Sequence, residues 1–498
     1  MTQEPRQPLQ TLRYRLAKGV TPHEKDDGIV LVLGFPLKTL SLHPAWKNVL
    51  RCLSGRDFVV FQQILPLVKN VDADRVEYML DDLVLKGFLE QRGIPALVEF
   101  PLVSIIIPVR NRPEEIGACL KSLEDLDYPS NRFEIIVVDD ASTDHTPETI
   151  SRFPVRLIRL EKNRQAPFCR NLAAWEATGE ILAFVDSDCL VDPNWLKELL
   201  PTFKAPSVVA VGGRVDAYFN KTGLDRYETV SSSLIMGRHA MRSQERDIAF
   251  YVPSCNLLVR RSLFLAIGGF REELVVGEDV DLCWRIQDQS CQVAFQPVGK
   301  VFHKHRNHLI PFCRRRFDYG TSEPLLQKLH EKRRKRMAFP VAGSLFLVVG
   351  ILAMATAFLP LPSLCGGIAI GDTLNRWRTI RKKGVPVGII SIFFAVLRGY
   401  AAFAYHLSAF VSRYYMIWAI LLFPVFPTTS TVIFVIHLVV GIVGYVIKKP
   451  RLNPFSFLFY FTMDQVSYQL GVWWGCLKHR TFGSVNPKVV WSTFSRKI

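Results

Sequence analysis

FVDSDCLVDP, residues 184–193, decides the reading of the fold. The apolar run ILAFV leads straight into Asp186 and Asp188, two carboxylates one residue apart at the end of what reads as a buried strand. FEIIVVDDAS (133–142) repeats the pattern with Asp139 and Asp140, and VSIIIPVRNR (103–112) sets Pro108, Arg110 and Asn111 just past SIII. Apolar runs of about five residues, separated by helix-like segments, read as βαβαβ with a parallel sheet. In open α/β sheets, ligands sit beyond the carboxyl ends of the strands, where loops and helix N-termini converge. Capping or turn aspartates would account for any one of these clusters. Three at equivalent strand ends point to a ligand site.

A D-x-D pair after a strand suits one task well, holding a divalent cation such as magnesium or manganese against a diphosphate. Hard cations take oxygen ligands, often one or two carboxylates plus substrate phosphates. As a Lewis acid the metal steadies a phosphate leaving group as its bond to a sugar carbon breaks. Asp186 and Asp188 are therefore candidate metal ligands. Such a displacement also needs a base within reach of the attacking hydroxyl. Asp279 in VVGEDVDLCWRIQ, at a helix start after Gly277, is the candidate, with Glu278 orienting the acceptor or holding the loop. The alternative for GEDVD is an acidic helix N-terminus favoured by the dipole alone. The chain has no P-loop and no G-x-G-x-x-G, so neither a Walker site nor a dinucleotide cofactor is indicated.

With 498 residues, two to four domains are expected. Hydrophobic residues are 49% of the chain but unevenly placed, with uncharged runs at 338–360, 387–396, 416–447 and 455–463. The first and third exceed the roughly 20 residues that span a bilayer, so 338–476 read as membrane-associated helices and 477–498 as a tail. Much of the net charge of +17 lies in KLHEKRRKRM (328–337), RWRTIRKK (376–383) and KKPR (448–451). Juxtamembrane basic clusters mark the cytoplasmic side and attract anionic lipid. They flank the apolar runs on both sides, which leaves the number of crossings open. MTQEPRQPLQ is no secretory signal, so the amino-terminal two thirds are expected on the cytoplasmic side of the membrane. Ten scattered cysteines without a C-x-x-C pair indicate neither a zinc site nor a disulfide framework.

Residues 1–95 read as a separate winged-helix-like unit, with a short strand pair around Tyr14 and GIVLVLG (28–34) and then helices. Its candidate recognition helix, ADRVEYMLDDLVLK (73–86), is acidic, and phosphate repulsion argues against nucleic acid. A structural cap on the next domain, or peptide binding at an open strand edge such as GIVLVLG, are the remaining readings. GIPALVEFP (93–101) is the linker and 102–320 the α/β domain.

VSIIIPVRNR, EIIVVDDASTD, NRQAPFCRNLAAWEATGEILAFVDSD, CNLLVRRSLFLAIGGF and GEDVDLCWR, in that order, resemble a family 2 glycosyltransferase of the GT-A fold. The resemblance implies a nucleotide-sugar donor, a divalent metal and inversion at the anomeric carbon. It implies Pro108 and Asp140 at the nucleobase, with Asp139 the nearby alternative and Arg110 in the same donor-binding cluster. Arg170 would approach the donor phosphates, Asp186 the ribose or sugar, Asp188 the metal, and Asp279 would be the base. His303 would complete the metal site, with His305 and His308 crowding nearby. Processive members carry Q-x-x-R-W; the nearest match, CRRRF (313–317), departs from it, which speaks against long-chain polymerisation by that mechanism. Taken with the amino-terminal unit, similar to the small peptide-chaperone domain of the pyrroloquinoline-quinone system, and with DQVSYQLGVWWGC (464–476), the chain resembles the mycofactocin-system glycosyltransferases. That implies transfer of β-1,4-linked glucose from UDP-glucose to a peptide-derived redox cofactor at a bacterial membrane. A lipid-linked or polysaccharide acceptor is the alternative.

Overall fold

The computed structural model describes residues 12–492 except 26–27, 35–36, 56, 69–70, 94–96, 98, 244–249, 357, 359 and 383, so the expected linker falls partly outside the described residues. The chain divides into two compact units. One comprises Ile94–Arg333 with Gly441–Ser484; the other comprises Met1–Gly93, Arg334–Val440 and Val485–Ile498.

The first unit is built on an eight-stranded sheet. In one half of it Ile181–Val185, Val103–Val109, Phe133–Asp139 and the edge strand Arg156–Arg159 run parallel in that spatial order, with Ile106 beside Phe184 on one side and Ile136 on the other. Strand Asn256–Arg260 lies antiparallel on the far side of Ile181–Val185, so the sheet is mixed rather than wholly parallel. Alternate residues face opposite layers. Ile105, Ile107 and Val109 pack with helix Pro113–Glu124, and Ile106 packs with Ala173 and Ala174 of helix Gln165–Glu176. Burial on both faces explains why these strands read as unbroken apolar runs. Asn256, fully buried, accepts from Trp195 Nε1 at 2.8 Å and donates to the Gly299 carbonyl at 2.8 Å. A second, three-stranded sheet sets Val301–His303 between Cys189–Val191 and Val215–Ala217, with His303 opposite Cys189.

Helices Leu309–Leu329 and Pro454–His479 also belong to this unit and pack closely together. A Cβ at Gly320 or Gly471 would strike backbone of the facing helix. Between them Arg316 Nη2 reaches Glu228 at 2.5 Å and Nε lies 3.3 Å from Asp464, which accepts from Tyr227 at 2.9 Å. DQVSYQ is thus part of the packing around the transferase sheet.

In the other unit, strand Arg13–Leu16 pairs with Val59–Val60 and Leu89–Arg92. Gly28–Gly34 does not join it; this strand lies between Val20–Lys25 and Leu37–Leu42 in a separate antiparallel sheet. The expected Tyr14–GIVLVLG pairing is therefore corrected, and GIVLVLG has no open edge because both of its backbone sides are paired. The acidic helix forms as Ala73–Leu85, capped by Asp72, and buries Val76, Leu80 and Leu83 against Tyr14, Val49 and Leu50.

The run 338–360 does not make one spanning helix. Residues 336–340 form a strand paired with Lys488–Ser492, leaving helix Val341–Thr356 of 16 residues. At ~1.5 Å per residue that falls short of a ~30 Å hydrocarbon core. The run 416–447 is broken before Pro427, giving helices Ile389–Leu422 (34 residues) and Pro427–Lys448 (22 residues), both long and apolar enough to cross a membrane. Met354 is 82% exposed and Val425 67%.

Candidate active site

Neighbouring parallel strands deliver the acidic loops. Asp186 and Asp188 follow Ile181–Val185, Asp139 ends Phe133–Asp139 with Asp140 next, and Arg110 to Arg112 follow Val103–Val109. Helix Glu278–Asp288 begins after Gly277, whose φ of 82° places it in the left-handed region that glycine tolerates.

Asp188 is buried at the centre of a cationic surround. Its Oδ2 receives Arg112 Nη1 at 2.5 Å and Arg306 Nη1 at 3.4 Å. Its Oδ1 has no hydrogen-bond partner and lies 3.6 Å from His303 Nε2. Burial works against ionisation here, but His303, Arg112 and Arg306 outweigh it and hold the carboxyl well below the ordinary carboxylate value. Among the described residues, Asp188, Cys189 and His303 bring possible ligand atoms within 4.8 Å of one another. Burial keeps the Cys189 thiol well above its usual value, so the hard donors are carboxylate and imidazole. An orphaned buried carboxylate oxygen facing an imidazole nitrogen fits a divalent cation. His305 instead sits 3.1 Å from Asp225, whereas His303 faces Asp188.

Asp186 has other partners. Arg170, only 3% exposed, reaches Asp186 Oδ1 at 2.5 Å with one terminal nitrogen and Glu278 Oε1 at 2.9 Å with the other. The arginine expected at the donor phosphates is thus engaged between two carboxylates, and it ties the D-x-D loop to the GED helix. Glu278 Oε1 also accepts from Ser254 Oγ at 3.1 Å. Asp279 accepts from the Ser254 amide at 3.3 Å and from the Val280 amide at 2.8 Å. Burial, and then the neighbouring Glu278 charge, push the Asp279 carboxyl up to about 7. A carboxyl raised toward neutrality by burial is suited to exchange a proton near neutral pH.

The expected nucleobase residues lie on the adjoining strands. Pro108 is buried opposite Val138. Asp139 accepts from the Ser142 amide at 3.1 Å and lies 3.4 Å from Arg159. Asp140 accepts from the Arg164 and Gln165 amides at 2.6 and 2.9 Å, fixing the start of helix Gln165–Glu176. Asp139 thus holds its own loop and Asp140 the start of a helix, and Arg110 is exposed. Sequence reasoning missed Arg112, Arg306 and Ser254. The first two had a signal, a cation within three residues of a predicted site residue; Ser254, which meets Glu278 through its hydroxyl and Asp279 through its amide, had none. In CRRRF, Arg316 is buried against Glu228 and Asp464, so its guanidinium is engaged within the packing.

A mixed sheet of this topology with its carboxylates gathered at the strand ends is that of a GT-A-like glycosyltransferase fold. The family model described as "Glycosyl transferase family 2" matches residues 104–267. Glycosyltransferase AglE of Haloferax volcanii is 30% identical over 221 residues, 41% of this chain and 70% of that protein. The pre-mycofactocin glycosyltransferase of Mycobacterium tuberculosis is 25% identical over 476 residues, 93% of this chain and 95% of that one. Among solved structures, a mannosyltransferase from Pyrobaculum calidifontis in complex with GDP-Man and Mn2+ has a TM-score of 0.37 and 20% identity, covering 66% of this chain and 94% of that one. The chain belongs to glycosyl transferase family 2, and it is a hexosyltransferase by class.

Proposed function

We propose that the chain is an inverting, divalent-metal-dependent transferase that moves glucose from UDP-glucose to a peptide-derived redox cofactor; similarity to a pre-mycofactocin glycosyltransferase over 93% of the chain supports the choice of acceptor. The observation that carries this reading is the placing of two buried carboxylates: Asp188, with one unpartnered oxygen 3.6 Å from His303, and Asp279, aimed by the Ser254 and Val280 amides. Asp188 and His303 would hold magnesium or manganese, with Asp186 at the sugar. The cation, when bound, neutralises the diphosphate leaving group. Asp279 takes the proton of the acceptor hydroxyl as that oxygen attacks the anomeric carbon opposite the leaving group, so one displacement inverts the centre. The Ser254 and Val280 amides aim Asp279, and Glu278, pinned by Arg170 and Ser254, holds the loop. Pro108, Asp139 and Asp140 bound the nucleobase end, with Arg110 two residues beyond Pro108.

Residues 1–95 serve as a winged-helix-like peptide-binding domain ahead of the transferase domain (102–320). Val20–Lys25 or Leu37–Leu42 replaces GIVLVLG as the edge for strand addition. The helices Ile389–Leu422 and Pro427–Lys448, with basic segments outside their ends, support a bacterial cell-membrane location with the catalytic domain on the cytoplasmic side. The exposed apolar helices support a second reading, transfer to a lipid-linked or polysaccharide acceptor.

Purified chain incubated with UDP-glucose, Mn2+ and either acceptor class, followed by UDP release and product mass, tests the proposal. Transfer to the peptide-derived acceptor that is slowed by excess precursor peptide fits the first reading. Transfer to lipid-linked acceptor unaffected by that peptide fits the second. No UDP release from any UDP-sugar, even with cell extract as acceptor source, would sink both.

A further inference from the structure

Two guanidinium groups converge on one oxygen of Asp188, and neither belongs to the residues that the family reading assigns. Arg112 approaches from the loop after Val103–Val109, and Arg306 from the loop after Val301–His303. Both loops are pinned. The Arg112 amide donates to Thr146 Oγ1 at 2.9 Å, the Asn111 amide to Ser142 Oγ at 2.9 Å, and the Lys304 amide to the Asp188 carbonyl at 2.9 Å. Exposure runs the other way from the charge they share. The Asp188 side chain is 7% exposed, whereas those of Arg112 and Arg306 are 30% and 39% exposed. The cations therefore stand on the solvent side of a buried carboxylate, two positive charges over one negative. A surplus of guanidinium at the mouth of the site suits an arriving polyanion, and the planar fork of arginine matches phosphate oxygens two at a time.

We propose that Arg112 and Arg306 form a guanidinium clamp for the diphosphate of the donor, resting on Asp188 until the nucleotide arrives and then transferring to it. The proposal rests on the nucleotide-sugar reading of this site and adds to it a diphosphate grip that does not require metal. It also links two binding events. As the nucleotide draws the guanidiniums away, Asp188 is released toward a cation, so nucleotide and cation favour one another, and linkage makes the effect reciprocal.

The test is calorimetric titration of the full chain with UDP, in EDTA and in Mn2+, alongside titration with Mn2+ alone read by the paramagnetic signal of the free ion. Wild type is expected to bind UDP in EDTA and to bind it more tightly with Mn2+. The double variant Arg112→Met, Arg306→Met should lose about ten- to hundredfold in UDP affinity in EDTA. It should bind Mn2+ alone as well as or better than wild type, which also reports an intact Asp188 site, and its coupling between Mn2+ and UDP should shrink. Unchanged UDP affinity in EDTA would overturn the clamp, as would a wild type that binds UDP only when Mn2+ is present. Joint loss of Mn2+ and UDP binding in the variant would overturn it too, because the arginines would then only hold Asp188 in place. Failure of wild type to bind UDP under any condition would remove the donor reading itself, and the clamp with it.

Discussion

Asp279 is held by two backbone amides, at 2.8 and 3.3 Å, beside the Glu278 charge, with its carboxyl raised to about 7. A base must be deprotonated to act, so kcat/KM should fall as pH drops through about 7 and level off above it. A pH-independent rate between 5 and 8 would remove Asp279 from that role. Asp279→Asn should keep UDP binding and lose transfer by roughly two to four orders of magnitude. Linkage adds a second observable. The folded-state pKa lies above the unfolded value of about 3.9, so the native state binds the extra proton and loses stability as pH rises from about 4 to about 7. Asp279→Asn should therefore stabilise the chain at pH 8, by up to about 4 kcal/mol for a rise from about 3.9 to about 7, and much less at pH 4. Thermal melts at the two pH values check the sign.

Among the elements, the helix pair Leu309–Leu329 and Pro454–His479 carries the clearest expectation. Arg316 lies buried between Glu228 and Asp464, while Arg314, two positions earlier, is exposed. Removing one partner from a buried ion cluster leaves uncompensated charge, so Arg316→Met should cost about 3–5 kcal/mol. Arg314→Met should stay within about 0.5 kcal/mol. Gly471 meets the backbone of Phe317, which has no flexible end to move aside. Gly471→Ala should cost about 1–3 kcal/mol by overpacking. Denaturant midpoints for the three variants measure the contrast.

For the whole molecule, the exposed apolar surface of Ile389–Leu422 and Pro427–Lys448 sets the expectation. If these helices are lipid-embedded, as proposed, the chain should sediment with membranes, resist release by 1 M salt and come off in detergent. Release by salt alone would mean that the basic clusters hold it at the surface by charge. Chelation should abolish transfer, and Mg2+ or Mn2+ should restore it; full activity in EDTA would separate this chain from metal-dependent members of its class.

The strands SIII, IIVV and ILAFV, the placement of carboxylates at strand ends, and the helix opening at Glu278 were all legible in the sequence, whereas the order of the strands and the antiparallel neighbour of ILAFV were not. Each legible feature depends on the period of apolar residues and on a few neighbours, and such local signals survive without knowledge of the fold. The pairing of GIVLVLG was not legible, because alternation shows that a strand is buried but not which strands lie beside it. Nor were the membrane-length helices, since a strand pairing with residues 488–492 shortens the first apolar run. The division of labour within the site was decided by tertiary structure alone. Asp186 and Asp188 are two residues apart in one motif, yet the first is engaged by Arg170 and the second by Arg112 and Arg306. Asp279 rises toward 7 because burial surrounds it and Glu278 stands beside it. Residue type and spacing determine which charges are available at a strand end; which of them meet, and how dry the meeting place is, depends on chain segments up to 118 residues apart being folded against one another.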